Sequence, residues 1–183
     1  MASTTTTTAR SNKTKGFSLI EMLIVTTVLG FFVMIATSSM LSLSRSSSSL
    51  INYQAMNEES RLMLEQFARD LRSATQVINA TDTELEIVTR TSSGGAQTVT
   101  YTYNANASVL YRQVGVGVRE IILSDVSAFD LDFYTFRGNT TNTPIETKRV
   151  QIEAMMERSV LSTKNTNHII SAQFVLRNHR VNS

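Results

Sequence analysis

Between residues 17 and 43 the chain reads FSLIEMLIVTTVLGFFVMIATSSMLSL, and Glu21 is the one ionisable side chain within it. At about 1.5 Å of rise per residue, a helix of this run crosses a hydrocarbon layer of roughly 30 Å. The run is apolar on every side, so it does not divide into a wet and a dry face as a surface helix of a globular domain does. Any fold of this chain therefore begins with a membrane-spanning helix candidate. In front of it, residues 1–16 form a polar, Thr-rich leader that carries Arg10, Lys13 and Lys15 and no acid. Positive charge on one flank predicts that the leader is cytoplasmic and that the rest of the chain lies across the membrane.

Charge has to be counted with that division in mind. The whole chain has 17 basic and 15 acidic residues, a formal net charge of +2. Without residues 1–16, fourteen basic residues face fifteen acidic ones and the balance is −1. Nucleic acid is an unfavoured partner on this count, because binding it requires Lys and Arg clustered on the folded part. No cysteine is present, which removes disulfides and thiolate metal sites. His168 and His179 stand alone without an HExxH spacing, and no Walker loop, GxGxxG or GxSxG occurs. The sequence thus predicts no cofactor, no metal site and no catalytic residues.

The length of 183 residues suits about one domain. A serine-rich stretch, SLSRSSSS at residues 42–49, is a place where a helix can loosen, since Ser competes for backbone hydrogen bonds. Beyond it Tyr53, Met56, Ser60, Leu64, Phe67, Leu71, Ala74 and Ile78 recur at gaps of three and four, which predicts an amphipathic helix. Glu58, Glu59, Arg61, Glu65, Arg69 and Arg72 are assigned to its wet face. If both halves are continuous, one helix runs from Phe17 to Ile78.

From Glu84 the period becomes two. Runs at 84–90, 98–103, 108–113, 118–123, 129–134, 149–156 and 168–177 predict about seven strands, mostly antiparallel because the links are short. Turns are predicted at 92–95, 104–106, 115–117, 137–144 and 162–167. Asp130 and Asp132 are read as alternating acids on a wet strand face in preference to a calcium site or an acid pair. The fold class is α+β, a long helix packed on an antiparallel β-sheet. The segments are a leader at 1–16, the apolar helix at 17–43, an amphipathic half at 44–79 and a β-rich head at 80–183.

The residues Lys15-Gly16-Phe17-Ser18-Leu19-Ile20-Glu21-Met22-Leu23-Ile24-Val25 closely resemble the signal of type IV prepilins and type II secretion pseudopilins. The resemblance implies a pilin-like fold. It also implies that a prepilin peptidase cuts between Gly16 and Phe17, that the new amine of Phe17 is methylated, and that the apolar helix stays with the mature protein. An ordinary secretory signal is cut after its hydrophobic run, whereas Gly16 precedes this one. Glu21 is costly in a bilayer and is thereby a functional candidate. The resemblance gives it the task of neutralising a Phe17 amine as the helix leaves the membrane for a filament core. The implied partners are prepilin peptidase, other pilins or pseudopilins, the inner-membrane assembly platform, and membrane lipid before assembly. The implied location is the bacterial inner membrane, then a pilus or pseudopilus.

Leu64-Glu65-Gln66-Phe67-Ala68-Arg69-Asp70-Leu71-Arg72-Ser73-Ala74, with the closing strand Ile170 to Asn178, resembles J-type minor pseudopilins and W-type minor pilins. That likeness implies a minor subunit that helps to start a filament at its tip. Gly30 is the one helix breaker inside the apolar run and no cysteine occurs, unlike many major pilins. The competing readings are a plain signal anchor, a secretory signal ending near Ala36-Thr37-Ser38, and a membrane-tethered β-rich binding protein or enzyme.

Overall fold

The computed structural model describes residue 16 and residues 18–91, 94–160 and 163–177. Its elements are one long helix, α1 (Leu19–Ser73), and eight strands: β1 (Ala74–Thr81), β2 (Glu84–Arg90), β3 (Ala96–Asn104), β4 (Val109–Val114), β5 (Glu120–Leu123), β6 (Val126–Tyr134), β7 (Arg149–Val160) and β8 (Thr163–Val175). A short 3-10 helix, Pro144–Glu146, precedes β7. This is the expected α+β arrangement of a long N-terminal helix followed by antiparallel sheet. The chain divides into two compact units, residues 1–44 and residues 45–183. Residues 42–49 are helical, so serine content alone does not interrupt α1.

In the second unit the strands form two sheets, where periodicity had predicted one. β1 to β5 make a five-stranded antiparallel meander in chain order, and β6 to β8 make a three-stranded one. The chain changes sheet at Ser124-Asp125, where Asp125 takes a φ of 56°. That left-handed residue turns the backbone sharply between β5 and β6. Val126 N–H then donates to Ser108 O at 2.9 Å and ties the start of β6 to the end of the 104–108 turn.

The helix ends five residues short of the predicted Ile78, and its last part is strand β1. Ala74, Val77 and Ala80 are buried at intervals of three. Register shifts against β2 between Ala74 and Gln76 and between Val77 and Asn79 produce that interval. Each bulge adds one residue to a period of two, and a twice-bulged strand then imitates helical spacing. At the other end of the head, the predicted turn at 162–167 lies mostly within β8, because Thr163 already pairs with Val160.

One core joins α1 to both sheets. Met56, Met63, Phe67 and Leu71 of α1 are buried with Leu85, Ile87, Val99 and Tyr101 of the larger sheet and Leu131, Val150, Ile152 and Met156 of the smaller. Phe67 is central, with ring centroids 4.9 Å from Tyr101 and 5.4 Å from Phe174, both edge-on. Burying such a ring contributes roughly 1.5 to 3 kcal/mol. The predicted dry face is therefore correct at Met56, Ser60, Phe67 and Leu71, while Tyr53 is exposed and Met63, Ala68 and Asp70 are added.

Candidate processing and assembly segment

Gly16 is exposed, and a Cβ placed on it meets nothing within 4 Å. Phe17 lies outside the described residues. Glu21 sits in the first turn of α1, with its own N–H and that of Met22 both donating to Ser18 O at 3.0 and 3.1 Å. A carboxylate in a first turn faces the positive end of the helix dipole, worth a few tenths to 1 kcal/mol.

The following helix carries its apolar side chains outward. Leu19, Ile20, Leu23, Leu29, Phe31, Phe32, Met34 and Ile35 are all exposed. None of the most apolar 18-residue window is buried inside the protein, and the helix is long and apolar enough to cross a membrane. A core helix of a soluble domain passes a length and composition test while being mostly covered; this one is bare. Four of its hydroxyls are satisfied internally. Thr27 Oγ1 donates to Leu23 O at 2.7 Å, Thr37 Oγ1 to Val33 O at 2.8 Å and Ser38 Oγ to Met34 O at 2.9 Å, while Thr26 reaches Met22 O at 3.0 Å. Unsatisfied polar groups cost several kcal/mol in hydrocarbon, and this back-bonding removes that cost.

Residues 11–37 match the model of the prokaryotic N-terminal methylation motif. The match covers the charged end of the leader, Gly16, Phe17, Glu21 and most of the apolar run at 17–43. It supports a type IV pilin-like protein and a structural role. No curated protein matches the chain.

Two polar clusters in the head were invisible to spacing arguments. Asp70, buried on α1, accepts the Tyr101 hydroxyl at 2.6 Å and Arg112 Nε at 2.7 Å, with Gln66 Nε2 adding a bond at 3.1 Å. Burial and then the Asp70 carboxylate push the Tyr101 phenol well above its ordinary value. Burial lowers the Arg112 guanidinium, but its bonds to Asp70 outweigh that and leave it raised. Glu59, assigned to the wet face, instead accepts Ser124 N–H at 2.6 Å and Ser124 Oγ at 2.7 Å through Oε1, and Arg158 at 3.0 Å through Oε2. Arg158 also donates to Asp125 at 2.6 Å.

The set-aside residues have structural surroundings. His168 Nε2 lies 3.0 Å from Ser60 Oγ, and its ring meets Tyr53 edge-on at 5.6 Å. His179 falls outside the described residues. Asp130 is opposite Glu153 and Asp132 opposite Gln151 in the β6–β7 ladder, with Asp130 raised by burial and by Asp132. Among the described residues no group of three or more His, Cys, Asp or Glu could hold a metal ion. The ion pair on the arginine-rich stretch joins Arg61 to Glu65 at 3.7 Å, while Arg69 donates to Gln66 at 2.9 Å.

Proposed function

We propose that this protein is a minor pilin or pseudopilin, a structural subunit of a type IV pilus or type II secretion pseudopilus. The observation that carries the reading is the methylation motif at residues 11–37 lying directly on the first turns of a bare apolar helix. A prepilin peptidase cuts after Gly16, and Phe17 becomes the methylated N-terminus. The precursor sits in the bacterial inner membrane with its leader cytoplasmic, and the mature chain passes through an assembly platform into a filament of pilins or pseudopilins. Glu21 holds its neighbour's Phe17 amine, or its own, once lipid no longer surrounds the helix. An unpaired carboxylate there is a penalty, so pairing fixes axial position as well as attraction. The likeness of residues 64–74 to J-type and W-type subunits supports a place at the tip, in filament initiation.

Amino-terminal sequencing of the mature protein tests the cut: a start at Phe17 is expected, and a start near Ser39 would overturn the reading. Glu21→Ala tests the assembly role. The variant is expected to be processed as wild type and to be missing from sheared filaments; normal incorporation would leave the helix as a simple tether.

A further inference from the structure

Four strand edges terminate the two sheets, and three of them are blunted. β1 is bulged twice and lies against the 3-10 helix Pro144–Glu146 and β6. β5 is 4 residues long. β6 carries a bridge from Tyr134 to Thr140. Short, bulged or covered edges are how sheets avoid unwanted pairing. Among the described residues β8 is protected at its start alone, where its register against β7 shifts between Arg158 and Ser159; from Asn167 to Val175 its sequence NHIISAQFV contains no Gly, Pro, Lys or acid.

The ladder shows which groups this edge offers. Leu176 N–H donates to Lys148 O at 2.9 Å, and Glu157 N–H turns the other way to Asp125 O at 2.9 Å. Main-chain groups alternate in direction along a strand. His168, Ile170, Ala172 and Phe174 therefore face Met156, Ala154, Ile152 and Val150 of β7. Ile169, Ser171, Gln173 and Val175 turn their amides and carbonyls outward, away from β7. Ile169 also exposes 72 % of its surface.

Beside this edge runs a groove of about 670 Å³ between β8 and α1. Arg61, Arg69 and Arg72 line its helical wall against a single acid, Glu65. We propose that the free edge of β8 accepts an extended segment of a partner protein as a fourth strand of the smaller sheet, with acidic side chains at alternate positions reaching these arginines. The outward main-chain groups supply affinity and the arginines supply selectivity. A second copy of β8 is the poorer occupant, since residues 167–175 bring no carboxylate to the groove. This inference is independent of how the N-terminal segment is processed.

The test uses the full chain in detergent micelles and two fluorescent ten-residue peptides, one alternating glutamate with valine and one alternating lysine with valine. The glutamate peptide is expected to bind at least tenfold more tightly, a difference of about 1.4 kcal/mol. Arg69→Glu should remove most of that preference, because this exposed residue bonds among the described residues to Gln66 within its own helix turn. Ser171→Pro, which deletes an outward donor and leaves the β7 ladder intact, should abolish binding. Hydrogen exchange on the wild type guards against a variant that merely fails to fold: peptide should slow the Ser171 and Gln173 amides, while those of Ile170 and Ala172 are slow from the start. Equal binding of both peptides, or protection gained outside residues 169–175, overturns the proposal. So does a peptide-free dimer that Ser171→Pro dissolves, which would give the edge to a second copy.

Discussion

Arg112 Nε–H meets Asp70 Oδ2 at 2.7 Å, joining the last turns of α1 to the fourth strand of the larger sheet with side chains 15 % and 11 % exposed. The pair is shielded enough to matter and fully hydrogen-bonded. The Tyr101 hydroxyl on the same oxygen closes the arrangement at 2.6 Å.

Removing Asp70 takes this partner from both the Tyr101 hydroxyl and the Arg112 guanidinium, whereas removing the hydroxyl leaves the ion pair in place. Asp70→Ala is expected to cost about 3 kcal/mol, and Tyr101→Phe about 1 kcal/mol, in urea unfolding. Replacing both charges, Asp70→Leu with Arg112→Met, should recover most of the loss of the single change, since neither partner then remains as an isolated charge. A double variant as weak as Asp70→Ala would show that the pair itself, not the stranded arginine, supplies the stability.

Tyr101 also predicts an alkaline limit. Its folded pKa is raised above the ordinary 10.0. Above pH 10 the unfolded chain releases this proton and the folded chain keeps it, so the unfolded state binds fewer protons and stability falls as pH rises. The stabilising contribution is complete below the unfolded pKa and is lost as pH climbs toward the folded one. Between pH 10 and 12 the wild type should lose about 1.4 kcal/mol per pH unit more than Tyr101→Phe. Parallel curves for the two proteins would refute the linkage.

Glu59 binds three elements at once: α1, the link between the sheets, and β7. Glu59→Ala strands the Ser124 amide and leaves Arg158 with Asp125 and the Ser124 hydroxyl, and a loss of about 2 kcal/mol is expected. Ser124→Ala keeps the amide bond and should lose about half as much. Denaturant midpoints of the two variants check the order.

Gly16 leads to a prediction of a different kind. Its surroundings are open, so Gly16→Val creates no clash within the chain. The added side chain instead obstructs the peptidase, and the protein should accumulate at precursor mass with an unchanged circular dichroism spectrum. Intact-protein mass spectrometry reads the outcome, and normal trimming would move the cut elsewhere.

The apolar helix and strands β2 to β7 were legible because one side chain class dominates each periodic position. The span at 84–90 coincides with β2, and residues 149–156 form most of β7. Ala74 and Ile78 misled because two bulges stretch a strand's burial period to three, and no residue in the sequence announces a bulge. Glu59 misled for another reason, and Asp70 was given no role at all. A carboxylate on a helix reads as wet unless its partner is known, and Arg112, Ser124 and Arg158 come from 42, 65 and 99 residues away. For the proposed processing segment, the reading of Gly16, Phe17 and Glu21 rests on local order along the chain, which the match at residues 11–37 spans, and not on tertiary contact.

The two carboxylates of α1 that bind the sheets have a mechanical consequence. Glu59 and Asp70 stand about 16 Å apart along the helix at 1.5 Å per residue. One grips the smaller sheet through Arg158 and the other the larger sheet through Arg112. Tension along the helix axis therefore loads both ion pairs together, in shear, with the Phe67 ring wedged between the sheets. Rupture under such a pull requires the whole head to let go at once, whereas a head gripped at one end would unzip strand by strand at far lower force.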